Sequence, residues 1–450
     1  MKRTHNINSK KIGTYAQRIS FFEYFYVFVL IIYAGLASKF VRAGSFTDNI
    51  VGYPLPIILS GILAIKWKIK IDKQFYGLIG CLFIYFIAIT IKYNELHLSI
   101  FTYYLFLFFI VYATVKVLGL NFFSIYELLM YYLAIVALAM WGVQTILRGD
   151  TLNNYLSKIP GIQEFSNVSG DGGLNAIIYS VQSTSSSILY NFSIPRNAGF
   201  AWEPGGFAVY LCLAIFINLF MINSSNNKLN LHFWVLLVAL VSTQSTTGYS
   251  IFIVLILFYY LNKKTDTIVL IIPLLLTAAI FVFSLPFMSN KIEALTKETD
   301  DVDYIVWKSI GNESNSAPQR FTSFFISYRD FYNNPILGNA NITGKSWYDK
   351  IGANISPISG IGNLLANFGI VGFLFFIISS FKSSVFFSKY FNYKMNVLLF
   401  IILLLITISY SVIFLPLLMC FWMYSLFGKN STDQKSQLIY DSSLKNLVSA

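Results

Sequence analysis

The sequence predicts an all-α polytopic membrane protein with about twelve transmembrane helices and a large, partly helical outer loop. Three observations predict it. Of the 450 residues, 56% are hydrophobic and only 12% are charged, against about 25% charge in an ordinary soluble protein. The apolar residues run in long uninterrupted stretches, not in the roughly 10-residue alternating segments of a β-barrel. Lysine and arginine gather on alternate connections, as they do when they set topology. With 43 Phe and 30 Tyr, too few polar side chains remain to cover a water-facing surface. A soluble globular enzyme, a coiled coil and a disordered chain are therefore excluded.

Runs of about 17 or more largely apolar residues mark spans. They fall at 21–38, 51–66, 75–92, 98–115, 123–147, 206–223, 231–246, 248–262, 267–286, 360–380, 395–411 and 412–428. With the N-terminus in the cytoplasm, the inner segments hold 19 of the 32 Lys and Arg and 6 of the 20 Asp and Glu. The inner side is then +13 and the outer side −1, so the net +12 reports topology and not a nucleic-acid surface. Segment 1–20 is cytoplasmic, 21–428 is the transmembrane domain, and 429–450 is a cytoplasmic tail rich in Ser, Lys and Asp. The first span is not a cleaved signal, because a polar segment precedes it and the chain soon re-enters the membrane.

The three cysteines, Cys81, Cys212 and Cys420, lie in apolar stretches and form neither a disulfide framework nor a metal-ligand spacing. His5, His97 and His232 are scattered. Glu23 and Glu127 lie near the cytoplasmic ends of their helices, and no ionisable group sits at mid-membrane. Ion-coupled transporters keep such a group because an intramembrane charge is costly.

Two outer segments stand out, 148–205 and 287–359. Long structured loops are uncommon unless they act as lids or binding elements. The first is rich in Gly and Ser and tightens into the stretch from Pro195 to Phe207. There Arg196 and Glu203 flank Pro204, which suits the first turn of a helix. A helix N-terminus beside a guanidinium suits a phosphate, and Gly205 and Gly206 allow close approach. The bland alternative is that Glu203 meets the helix dipole and pairs with Arg196. The second segment holds an acidic run (Glu298, Asp300, Asp301, Asp303), then Arg320, Arg329 and Pro335. On one straight helix, Arg320 and Arg329 point to opposite sides, so either both touch one ligand across a bend or one is structural. Tyr328, Tyr332 and Trp347 offer faces that could stack on sugar rings, although membrane-interface belts use the same residues.

The stretch Arg196-Asn197-Ala198-Gly199-Phe200-Ala201-Trp202-Glu203-Pro204 resembles the R-x-x-G-x-x-x-E-P segment of the O-antigen polymerase/ligase superfamily, the Wzy-type polymerases. The run from Arg320 to Pro335-Ile336-Leu337-Gly338 is similar to that family's arginine and later P-l-x-G in its large outer loop. Gly369 to Gly372 looks like its closing G-x-x-G, and Ser242 to Tyr249 looks like its T-x-S-x-x-G turn. The resemblance covers about 20–428 in layout. It implies a multi-pass enzyme of the bacterial plasma (inner) membrane, acting in polysaccharide biosynthesis at the outer face. Donor and acceptor would be undecaprenyl-diphosphate-linked oligosaccharides, with membrane lipid around them and a chain-length regulator and a flippase as partner proteins. It implies catalytic roles for Arg196, Glu203 and Arg320, and substrate binding by Arg329, Asn197, Tyr328 and Gly205. No cofactor and no metal is expected, because arginines would offset the diphosphate charge.

Ligases of that family place a His-Asn pair where Ile358 and Ser359 stand here, and all three histidines lie outside both outer segments. The resemblance therefore favours a polymerase over an O-antigen ligase. The rival from another class, a lipid-linked oligosaccharide flippase or transporter, needs polar helix faces around a central cavity and no large outer segment.

Overall fold

Runs of Leu, Ile, Val and Phe fold into helices broken at Gly, Pro and Asn. The structure is a computed structural model that describes residues 20–37, 54–147, 149–160, 174–181, 185–189, 192–222, 229–263, 302–311 and 318–428. The predicted span 267–286, the acidic residues Glu298, Asp300 and Asp301, and both terminal segments lie outside these residues.

The described chain is mostly helical. It opens with α1 (Phe21–Ala34), α2 (Pro54–Lys66), α3 (Lys73–Tyr93), α4 (Leu98–Leu118) and α5 (Asn121–Leu147). The segment between α5 and α7 holds α6 (Gly149–Ser157) and two small antiparallel hairpins. These are β1 (Leu174–Asn175) with β2 (Ser180–Val181), and β3 (Ser185–Leu189) with β4 (Phe192–Pro195). Then come α7 (Pro204–Ile217), a π turn over Asn218–Ile222, α8 (Leu231–Ser242) and α9 (Thr246–Lys263). The following segment contributes α10 (Val302–Lys308), α11 (Arg320–Asn333) and α12 (Trp347–Lys350). The chain closes with α13 (Gly360–Phe391), α14 (Leu398–Ser409), α15 (Pro416–Trp422) and α16 (Tyr424–Phe427).

Five helices are long and apolar enough to cross a membrane: α3, α4, α5, the continuous Pro204–Ile222 and α13. Five shorter apolar helices, α1, α2, α8, α14 and the Thr246–Asn262 stretch of α9, join them. These helices fit a membrane protein. They expose Ile58, Ile62, Ile65, Ile84, Ile87 and Ile91 where lipid would lie. The centre is α7, all 14 of whose residues are buried, packed against α5, α8 and α9.

Two predicted spans take another form. The stretch 412–428 is a turn followed by two short helices, with Leu417 to Tyr424 fully buried. Pro416 has no N–H to continue a helix from the preceding turn, so it starts a new one. The predicted 360–380 span is instead a 32-residue helix broken at Gly369, which adopts φ 59° and ψ −162°.

That break orphans carbonyls before it and N–H groups after it, and the segment after α11 satisfies them. Asn339 N and Ala340 N donate to the carbonyls of Ala366 (2.8 Å) and Asn367 (2.7 Å). Beyond the break, Ile370 N and Val371 N donate to the carbonyls of Pro335 (2.8 Å) and Ile336 (3.3 Å). Tyr85 Oη donates to Leu337 O at 2.9 Å, and Lys92 Nζ to Gly338 O at 2.7 Å. A Cβ on Gly369 would sit 2.3 Å from Ile336 O, and one on Gly338 2.4 Å from the Asn367 carbonyl carbon. Both glycines are required by backbone packed on backbone. The two loop motifs seen separately in the sequence are thus one joint.

Candidate functional site

The site is built at the end of the bundle where α7 and α11 begin and α8 and α14 end. The segment after β4 is held rigidly. Trp141 Nε1 donates to Pro195 O at 2.7 Å, Asn197 N to Ser242 O at 3.0 Å, and Trp202 N to Gly35 O at 2.8 Å. Asn197 is fully buried. Its Nδ2 donates to Ser242 Oγ (2.9 Å) and Ala137 O (3.4 Å), and its Oδ1 accepts from Gly199 N (3.0 Å). Asn197, expected as a substrate contact, is placed inside this turn, its amide holding it against α5 and α8.

Arg196, released by that turn, reaches the end of α8. Its Nε and Nη2 donate to the carbonyls of Thr243 and Gln244, each at 3.2 Å. A helix C-terminus leaves such carbonyls free and carries negative potential. Burial draws Arg196 below the usual arginine range, Glu203 opposes that, and the Arg320 guanidinium adds to the lowering. The two arginines therefore feel one another.

Glu203 is the N-cap of α7 in extended geometry, with Pro204 at the first helical position as expected. Its side chain makes no capping hydrogen bond. Instead Oε1 lies 3.8 Å from Arg320 Nη2, with both side chains about one-third exposed, at 39% and 34%. Arg320 is the first residue of α11. Its Nη1 donates to Thr247 Oγ1 at 3.3 Å, and its guanidinium lies 4.4 Å from the centre of the Tyr410 ring. Thr247 Oγ1 is also hydrogen-bonded to Ser409 Oγ at 2.9 Å.

Tyr410, absent from the sequence-based candidates, is the hub. It packs edge-on against Trp202 at 5.9 Å. A Cβ on Gly205 would fall 1.6 Å from its hydroxyl. Gly205, expected to leave room for a headgroup, lies directly against the Tyr410 side chain. Tyr410 stands at the end of the predicted span 395–411, where tyrosines are common at membrane interfaces, so its position in the sequence does not single it out. Thr247 lay within the Ser242–Tyr249 motif, and its position was recoverable from that.

Arg329 stands apart from this cluster, as the single straight α11 requires. Its Nη1 donates to Asp303 Oδ1 at 3.0 Å and its guanidinium stacks 4.3 Å from the Trp347 ring centre. Tyr328 is exposed and stacks on Phe324 at 6.0 Å. Asp330, on the buried face of α11, accepts from Trp347 N at 2.8 Å, and burial pushes its carboxyl up to about 6. Asn363 binds the elements together. Its Oδ1 accepts from Ser327 Oγ (3.0 Å), and its Nδ2 donates to Pro357 O (2.8 Å) and Ser411 Oγ (3.1 Å).

The arrangement is two guanidiniums, a carboxylate about one-third exposed and a phenol, drawn from three chain segments and meeting at one end of the helices. It can bind a multiply charged anion through planar paired donors and offers a carboxylate to take a proton beside it. Comparison with known protein families, with curated proteins and with solved structures finds no match.

Proposed function

We propose that the chain is a polysaccharide polymerase that builds O-antigen or capsule chains at the outer face of the bacterial plasma membrane. The observation that carries this reading is the convergence of Arg196 and Arg320, from two separate segments, around Glu203 and Tyr410. A lipid diphosphate leaving group is a compact anion, and paired guanidiniums stabilise such charge as it develops.

In the proposed reaction the terminal sugar hydroxyl of one lipid-linked repeat unit attacks the anomeric carbon of the glycan carried on a second lipid. The new C–O glycosidic bond forms as the C–O bond to the diphosphate breaks, and the leaving lipid diphosphate keeps the electron pair. Arg196 and Arg320 take up its charge. Glu203, uncommitted to capping, accepts the acceptor's hydroxyl proton. Tyr410 positions Arg320 through its ring. Twelve spans, cytoplasmic termini and a positive inner side complete the proposed topology, with a flippase supplying the repeat units and a regulator setting chain length.

The test is purified protein with a single lipid-linked repeat unit. Polymer formed without any added acceptor supports the proposal. Transfer only to a second kind of acceptor identifies a ligase, and no transfer at all removes the enzymatic reading.

A further inference from the structure

Helix α11, Arg320–Asn333, has two unlike faces. Thr322, Ser323, Ile326, Ser327 and Asp330 are buried, packed toward the first half of α13, where Gly362 meets Ser327. The opposite face exposes Phe321, Phe325, Tyr328 and Tyr332, at 51%, 43%, 45% and 74% of full exposure. Spacings of four, three and four residues keep them on one stripe, about 16 Å long at the rise of an α-helix. Three of the four rings are linked through ring contacts. Phe321 and Phe325 lie 5.2 Å apart, and Phe324 bridges Phe325 at 5.8 Å to Tyr328 at 6.0 Å.

The apolar helices expose mixed side chains: α2 presents Leu55, Ile58, Ile62 and Ile65, and α3 presents Tyr76 and Phe83 among Ile84, Ile87 and Ile91. The α11 stripe is wholly aromatic, with exposed Arg329 and Asn333 beside it. Flat rings flanked by planar hydrogen-bonding groups suit the C–H faces and hydroxyl edges of sugars. The stripe begins one residue after Arg320, whose guanidinium lies on Tyr410.

We infer that the α11 stripe is a carbohydrate track, holding the uncharged sugars of the glycan as they lead away from the arginine pair. The inference rests on the proposed function for the identity of its ligand, and the two can fail separately. The probe is the cell's own surface polysaccharide, cut to neutral oligosaccharides free of lipid and phosphate, offered to the full-length protein in nanodiscs. Substituting Phe325→Ala, Tyr328→Ala and Tyr332→Ala together should weaken binding roughly ten-fold or more, the loss expected for three ring contacts. The pair Tyr328→Phe and Tyr332→Phe, which keeps the faces, should bind within about three-fold of wild type. Unchanged binding in the alanine variant overturns the track. So does a normal oligosaccharide affinity combined with weaker insertion into lipid monolayers, which would make the stripe a membrane contact. If the wild type binds the oligosaccharides yet forms no polymer from lipid-linked repeat units, the polymerase proposal fails while the track stands.

Discussion

Two charged clusters sit at opposite ends of α1, and they are built to different standards. At its first turn, buried Glu23 accepts from Lys66 Nζ at 2.7 Å, Trp67 Nε1 at 3.0 Å, Ser20 N at 2.8 Å and the Ser20 hydroxyl. Every contact is short. At the other end, beyond Gly35, the contacts of Arg196 and Arg320 run to 3.2, 3.2 and 3.3 Å, and the ion pair with Glu203 to 3.8 Å. Each guanidinium has five N–H donors, more than these contacts occupy. A buried charge satisfied on all sides is a structural joint. Cations held loosely beside an accessible carboxylate keep capacity for a ligand.

The largest expected effect tests the loose end directly. Arg320→Ala should lower the rate of polymer formation about 10³-fold, or about 4 kcal/mol, with little change in melting temperature. Arg320→Lys should recover little, because a point charge cannot replace a planar fork. A rate within a few-fold of wild type in both would erase the contrast. Next, Lys66→Ala should reveal the tight end. It strips the buried Glu23 carboxylate of its cation and should cost about 2–3 kcal/mol of stability, with the rate per folded molecule preserved. Loss of rate without loss of stability there would reverse the assignment.

A smaller effect sharpens the geometry. Gly205→Ala must push Tyr410 aside, since the new methyl would lie 1.6 Å from its hydroxyl. A rate loss of about ten-fold is expected, partly relieved when Tyr410→Phe is added. If Gly205→Ala alone is silent, Tyr410 is not positioning Arg320. The smallest effect concerns Asp330, buried but with one backbone donor on its Oδ1. Its carboxyl is raised from 3.8 to about 6. Its favourable contribution is therefore complete below the unfolded value and is lost as pH rises through about 6. Asp330→Asn should flatten that dependence between pH 4 and 6 and stabilise α11 and its neighbours at pH 7 by on the order of 1–2 kcal/mol. Hydrogen exchange of α11 at both pH values would show it.

Much of this was legible in the chain. Hydropathy located the long helices, because hydrocarbon thickness sets their length. Pro335 stopped α11 two residues after its observed end at Asn333, because proline disfavours helix in the residue before it. Arg196, Glu203 and Arg320 came from short motifs and meet in space. The rest depended on contacts distant in sequence. The break at Gly369 lies inside an unbroken apolar run, and only the backbone of 335–340 explains it. The hairpins β1–β2 and β3–β4 are two to five residues long, in Ser-rich stretches without alternation. Asn197 adjoins Arg196 in sequence, yet its amide packs into the turn while the guanidinium reaches the end of α8, a difference only the coordinates reveal.

The bent α13 also bears on how the protein is made. The stretch 335–340 leaves the ribosome before Gly369 does, and hydrocarbon offers no partner for bare peptide groups. Those four bonds need both stretches in place. Deleting 335–340 would leave four peptide groups of the bend without partners, so the stretch cannot be cut away from the helix it completes.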